Sequence, residues 1–131
     1  MLDQISVFLE NRPGCLSELV GVLADRGVNL RALTIAETDR FGIVRLIVDS
    51  NATALTALHE AGITATVSPV VGVEVPDRPG GLAHLLTLFD GAVSVEYMYA
   101  AFAGASGRRV MIMKLHPPEK ALAILESLHD E

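Results

Sequence analysis

The chain has 131 residues, half of them hydrophobic, with 5% aromatics, no tryptophan and a formal charge of −6. This is a core-forming composition with an aliphatic core, and an acidic chain without a long basic run makes a poor phosphate-tracking surface, which argues against nucleic acid as a partner. The single cysteine, Cys15, excludes an internal disulfide and a cysteine-rich zinc site, and the four histidines are scattered without metal-ligand spacing. The N-terminus has no basic region followed by an apolar one, and no run of about 18 apolar residues occurs, so neither a signal peptide nor a membrane contact is expected and the cytoplasm is the expected location.

In chain order, Gln4–Glu10 alternates and is rich in β-formers, which predicts a strand. Pro13–Arg26 carries an apolar stripe at Leu16, Leu19, Val20 and Leu23, the i, i+3, i+4, i+7 face of a helix, and Gly27 suits its C-terminal end. Val28–Glu37 and Ile43–Asp49 are strands around a turn at Thr38–Gly42. Ser50 or Asn51 caps a helix over Ala52–Ala61 that Gly62 closes, and Ile63–Val67 is a short fourth strand.

The second half repeats this order. Val70–Val75 is a strand, Pro79–Asp90 a helix, Val93–Phe102 a strand, Ala103–Gly107 a turn and Arg109–His116 a strand. Pro117-Pro118 opens a last helix through Leu128, and no fourth strand follows it.

The repeat extends to motif. Glu10-Asn11-Arg12-Pro13-Gly14-Cys15-Leu16 is echoed by Pro76-Asp77-Arg78-Pro79-Gly80-Gly81-Leu82, an offset of 66 (from residue 11 to residue 77). The stripe after it recurs as Leu82, Leu85, Leu86 and Phe89. The expected fold is α+β: two ferredoxin-like βαββαβ units in tandem, residues 1–68 and 69–131, split near Ser68–Val71, the second without a clear final strand.

The Arg-Pro-Gly-x-Leu element, followed by Gly27-Val28-Asn29, resembles the ACT domain, and is especially similar to the serine-sensing ACT domain of phosphoglycerate dehydrogenase. The whole chain resembles small proteins built from a pair of ACT units. The resemblance implies a non-catalytic, amino-acid-binding regulatory protein acting allosterically on an amino-acid-biosynthetic enzyme. In the family the ligand lies where a strand-to-helix loop meets a neighbouring unit. Carried over, Asn11 and Asn29 match ligand-contacting asparagines, with Arg12, Pro13, Gly14, Cys15 and Leu16 around them. In the second unit the two asparagine positions are Asp77 and Ser94, beside Pro79, Gly80, Gly81 and Leu82. A family histidine two positions before the first asparagine is Leu9 here, which departs from the serine-binding pattern.

The physical chemistry of these residues suits a zwitterion. A helix N-terminus attracts a carboxylate, a glycine admits close approach to the backbone, a proline stiffens the loop, and an amide both donates and accepts. Asp77 would repel a carboxylate and accept from an ammonium. Each residue also has a purely structural reading: Asn11 and Asp77 as helix caps, the glycines as turn formers, the arginines as solvated charges, Cys15 as a packed thiol and Tyr97 and Tyr99 as packing residues.

No cofactor and no catalytic constellation is expected. A ligand-free interaction subunit, like the regulatory subunit of acetolactate synthase, is the alternative to a sensor. The strands Ile43–Val48 and Val110–Met113 are apolar on both faces or nearly so, while helices cover one face, so the second face needs a cover and a homodimer is expected.

Overall fold

The structure is a computed structural model that describes residues 2–37, 41–103 and 108–129. Its elements are β1 (Leu2–Glu10), α1 (Cys15–Asp25), β2 (Leu30–Glu37), β3 (Phe41–Val48), α2 (Asn51–Glu60), β4 (Ala65–Pro76), α3 (Gly81–Thr87), β5 (Ser94–Ala103), β6 (Arg108–His116) and α4 (Pro118–His129). The chain divides into two compact units, one of Leu2–Pro69 and one that starts at Val70, so the division falls inside β4. The fold is the predicted pair of ferredoxin-like units, and among the described residues no strand follows α4.

In the first unit β3 lies between β1 and β2, antiparallel to both. The register sets Ile5 opposite Leu46 and Val7 opposite Val44. Side chains alternate along a strand, so these four share one face. Leu19 and Leu23 of α1 and Ala54 and Leu58 of α2 bury that face, and Val22, Ile63 and Ala65 pack against the resulting core. Each fully buried leucine is worth about 1.5–3 kcal/mol over an exposed one. Of the predicted helical stripe, Leu19 and Leu23 face the core, whereas Leu16 is exposed and Cys15 and Val22 turn inward instead.

The second unit repeats the plan, with β6 between β4 and β5. Val71, Val73 and Val75 of β4 and Met113 and Leu115 of β6 face Leu85, Phe89, Ala121 and Leu125. On the opposite sheet faces, Ile47 and Ile112 are buried as well.

Several boundaries differ from the sequence reading, among them the starts of β1 at Leu2 rather than Gln4 and of β2 at Leu30 rather than Val28. α1 and α3 begin at Cys15 and Gly81 rather than at the prolines, because Gly14 and Gly80 are N-caps in the left-handed region at φ 90° and 85°, which no proline-started helix passes through. α3 ends at Thr87, where successive i→i+3 bonds (Leu88 to Leu85, Phe89 to Leu86, Asp90 to Thr87) tighten the chain. The strands expected at Ile63–Val67 and Val70–Val75 are a single β4 that runs through Pro69. β3 starts two residues early, at Phe41. The rest of the turn placed at Thr38–Gly42, and the turn placed at Ala103–Gly107 apart from Ala103, lie outside the described residues.

Candidate functional site

The two Arg-Pro-Gly loops have the same backbone. The Arg12 N–H donates to the Glu10 carbonyl at 3.0 Å, and the Arg78 N–H to the Pro76 carbonyl at 3.0 Å. The Cys15 N–H reaches the Arg12 carbonyl at 3.3 Å, and the Gly81 N–H the Arg78 carbonyl at 3.1 Å. Glu18 and His84 then donate to Gly14 and Gly80, both at 2.9 Å, closing the first helical turn. Neither helix has a side-chain cap bond at its N-cap, which is the glycine, so Asn11 and Asp77 do not occupy that position. An added Cβ at Gly14 or Gly80 would meet nothing within 4 Å, so their need for glycine lies in the positive φ, not in space.

In the first unit a cleft of about 190 Å³ opens under this loop. Asn11, Arg12, Cys15 and Leu16 form its loop side, and Leu9, Ile35 and Val44 its strand side, with Glu10 and Gly42 at the edge. Leu9 and Val44 come from paired strands on the helix-covered face, while Ile35 stands on β2 beyond the helices and is 47% exposed. Arg12 Nε donates to Glu10 Oε2 at 3.0 Å. That bond, with nearby Cys15 and Glu18, holds the guanidinium pKa above its ordinary value. The cleft therefore offers a neutral amide, a fixed cation, the N–H groups of a helical first turn that lack intrahelical acceptors, and an aliphatic wall. Pro13 and Gly14 are exposed on the loop and do not line it. Asn29 stands at the entry to β2, outside the lining, where its backbone N–H donates to Asp49 Oδ1 at 3.0 Å.

In the second unit Asp77 Oδ2 accepts from Arg109 Nη2 at 3.4 Å, and both side chains are exposed. Pro79 and Gly80 are exposed on the loop, Leu82 is exposed in the first turn of α3, and Ser94 starts β5 opposite His116. Gly81 differs from its counterpart Cys15: a Cβ there would lie 2.3 Å from the Pro76 carbonyl oxygen. Gly81 also lines a larger groove of about 560 Å³ that reaches toward α4 and contains none of Asp77, Arg78, Pro79, Gly80, Leu82 or Ser94.

The family model for the ACT domain pair matches residues 1–129. The chain belongs to the ACT domain pair family. This ACT pair is a regulatory module rather than a catalytic one, and among its described residues no group of three or more histidine, cysteine or carboxylate side chains could hold a metal ion. Protein BT0572 from Bacteroides thetaiotaomicron, of solved structure, is 36% identical to it, covers 98% of this chain and 88% of that one, and superposes with a TM-score of 0.91. The regulatory subunit of aspartate kinase from Thermus thermophilus shares the fold at a TM-score of 0.69 and 22% identity, over 98% of this chain and 91% of that one. Among curated proteins, the acetolactate synthase isozyme 3 small subunit of Escherichia coli is 39% identical over 46 residues, which are 35% of this chain and 28% of that protein. The ACT pair thus matches little more than a quarter of the length of that relative. Among the described residues no helix is long and apolar enough to cross a membrane.

The motif located the loop but not the strand side of the cleft. Ile35, Gly42 and Val44 join it only because the β2–β3 hairpin folds back beside β1, a non-local pairing that periodicity does not report. The one local hint was Ile35 itself, an aliphatic residue at the far end of an edge strand. In the second unit Leu88, Arg108 and Leu125 come from three separate elements, and no local pattern joins them.

Proposed function

We propose that this ACT pair senses a free amino acid in the first-unit cleft and passes the occupancy to an enzyme of amino-acid biosynthesis. The observation that carries the reading is the convergence of Asn11, Arg12 and the start of α1 on a cleft walled by Leu9, Leu16, Ile35 and Val44. The ligand carboxylate faces Arg12 and the helix start, Asn11 bridges the head group, and the side chain lies on the aliphatic wall. The match to acetolactate synthase small subunits supports an enzyme of that class as the regulated partner.

The ACT pair functions as a homodimer in this reading. Phe8 and Phe41 are 56% and 53% exposed, and their register opposite Ile43 and Glu10 sets them on the sheet face away from the helices. An aromatic pair left in water there supports a second copy as its cover. Light scattering at micromolar concentration should give twice the chain mass, and a monomer would count against the dimer.

Thermal denaturation against the twenty amino acids tests the sensing role. A ligand that binds only the folded state raises the melting temperature as its concentration exceeds its dissociation constant. The reading requires at least one amino acid to do so. A flat response across all twenty favours the ligand-free interaction subunit instead.

A further inference from the structure

In the first unit β1 has β3 on one side and the first part of β4, Ala65–Pro69, on the other. Ile63 and Ala65, at the entry to that strand, pack against the core, while Thr64 and Thr66 are exposed. By the 66-residue repeat, Val71–Pro76 is the second unit's counterpart of Ile5–Glu10 in β1 (from residue 5 to residue 71). It has β6 on one side. On its other side this unit sets no strand of its own among the described residues.

The groove of about 560 Å³ marks that position, and Gly72, Val73, Glu74, Val75 and Pro76 all line it. Successive residues of a strand point to opposite faces, so five in a row mean that the groove follows the edge of β4 rather than one face. Alternate N–H groups of Gly72–Val75 point toward that edge, and Pro76 has none. Leu85 of α3, Leu88 at its C-cap and Leu125 of α4 give the groove an aliphatic wall. Leu88 is the counterpart of Val22, which packs on the first-unit core as Ile63 and Ala65 do. The groove thus stands where the fourth strand lies in the sister unit.

We propose that the Gly72–Pro76 edge is a docking site for a partner protein, which adds an extended segment to the second-unit sheet. Main-chain hydrogen bonds to β4 hold the segment, and its alternate side chains lie on Leu85, Leu88 and Leu125, as in other cases of strand addition. Glu74 and Arg108 lie on the sheet face away from the helices and carry one charge of each sign, so neutral polar side chains suit the outward positions. The segment therefore has the chemistry of Ile63-Thr64-Ala65-Thr66, aliphatic and neutral polar in alternation. A second copy has its own such segment built into its first unit. Its β4 edge, laid antiparallel in full overlap, would set Glu74 against Glu74, and like charges directly opposite are destabilising. The site stands whether or not the first-unit cleft holds a ligand.

A synthetic peptide of residues 62–68, which carries the sister unit's own strand sequence, is the probe. Fluorescence anisotropy of the labelled peptide with the full chain should show saturable binding, and amide exchange followed by NMR should slow at alternate residues of Gly72–Val75. The Ile63→Asp peptide should bind at least about tenfold more weakly, because a charge replaces the buried aliphatic group. A peptide N-methylated at the adjacent Thr64 and Ala65 should lose about fivefold or more, since one of the two nitrogens faces β4. Equal binding of the N-methylated peptide overturns strand addition. Slowed exchange in β1 instead of β4 means that the peptide replaces the first unit's own strand, and overturns this site. Slowed exchange at the same β4 amides on concentrating the chain without peptide gives the edge to a second copy, and overturns the partner. Absence of binding at millimolar peptide overturns the proposal outright.

Discussion

The two Arg-Pro-Gly loops make the same backbone hydrogen bonds and the same left-handed turn, yet the first lines its cleft with Asn11, Arg12, Cys15 and Leu16, whereas the second meets its groove at Pro76 and Gly81. At Cys15 a buried side chain fits beneath the loop; at Gly81 the Pro76 carbonyl leaves no room even for a Cβ. At Asn11 the loop carries a neutral amide; at Asp77 it carries an anion engaged with Arg109. The comparison separates two jobs within one motif. Arg-Pro-Gly sets the path of the chain into the helix in both units, whereas the neighbouring side chains decide whether that path leaves a place for a ligand.

The largest effect should come from exchanging the residues that differ most. Gly81→Cys puts a Cβ against the Pro76 carbonyl and should destabilise the fold by about 3 kcal/mol in chemical denaturation, the upper range for overpacking. The reverse exchange, Cys15→Gly, removes a small buried side chain from the start of a helix and should cost about 1–2 kcal/mol. Equal costs would show that the two loops are packed alike, and would break the comparison.

Gly14→Ala and Gly80→Ala sharpen the shared half of the comparison. Both glycines have positive φ and open space around them, so each alanine should cost about 1–2 kcal/mol and the two should agree. A large difference between them would mean that the motif does not act identically in the two units. The smallest effect belongs to Asp77→Ala: its contact with Arg109 is exposed at both ends, and its removal should change stability by less than about 0.5 kcal/mol in the same measurement.

Most of the fold is legible in the sequence, because the features that decide it are local. The stripe Leu16, Leu19, Val20, Leu23 and its repeat fix two helices, and Leu19, Leu23 and Leu85 enter the cores as that periodicity requires. Legibility fails at Pro69. Ser68–Val71 reads as the split between the units, but a proline takes only its own N–H out of a strand, and β4 passes through Pro69 unbroken. It also fails at the helix starts, where positive φ at Gly14 and Gly80 delays each helix beyond its proline. For the candidate site, the loop residues Asn11, Arg12, Cys15 and Leu16 are recoverable from the motif. The wall residues Ile35 and Val44 depend on strand pairing between distant segments. Asn29, which the resemblance groups with the loop, stands outside the lining of this cleft, with its backbone N–H tied to Asp49.

The central claim is that the first-unit loop, and not its second-unit copy, holds the regulatory amino acid. Calorimetry with an amino acid that raises the melting temperature, on the parent chain and on Asn11→Ala and Asp77→Ala, tests it most directly. Asn11→Ala should weaken binding by about 1–2 kcal/mol, the scale of a hydrogen bond lost in a desolvated site, and Asp77→Ala should leave it nearly unchanged. Binding that is abolished by Asp77→Ala and untouched by Asn11→Ala would place the regulatory site on the second unit and contradict the account.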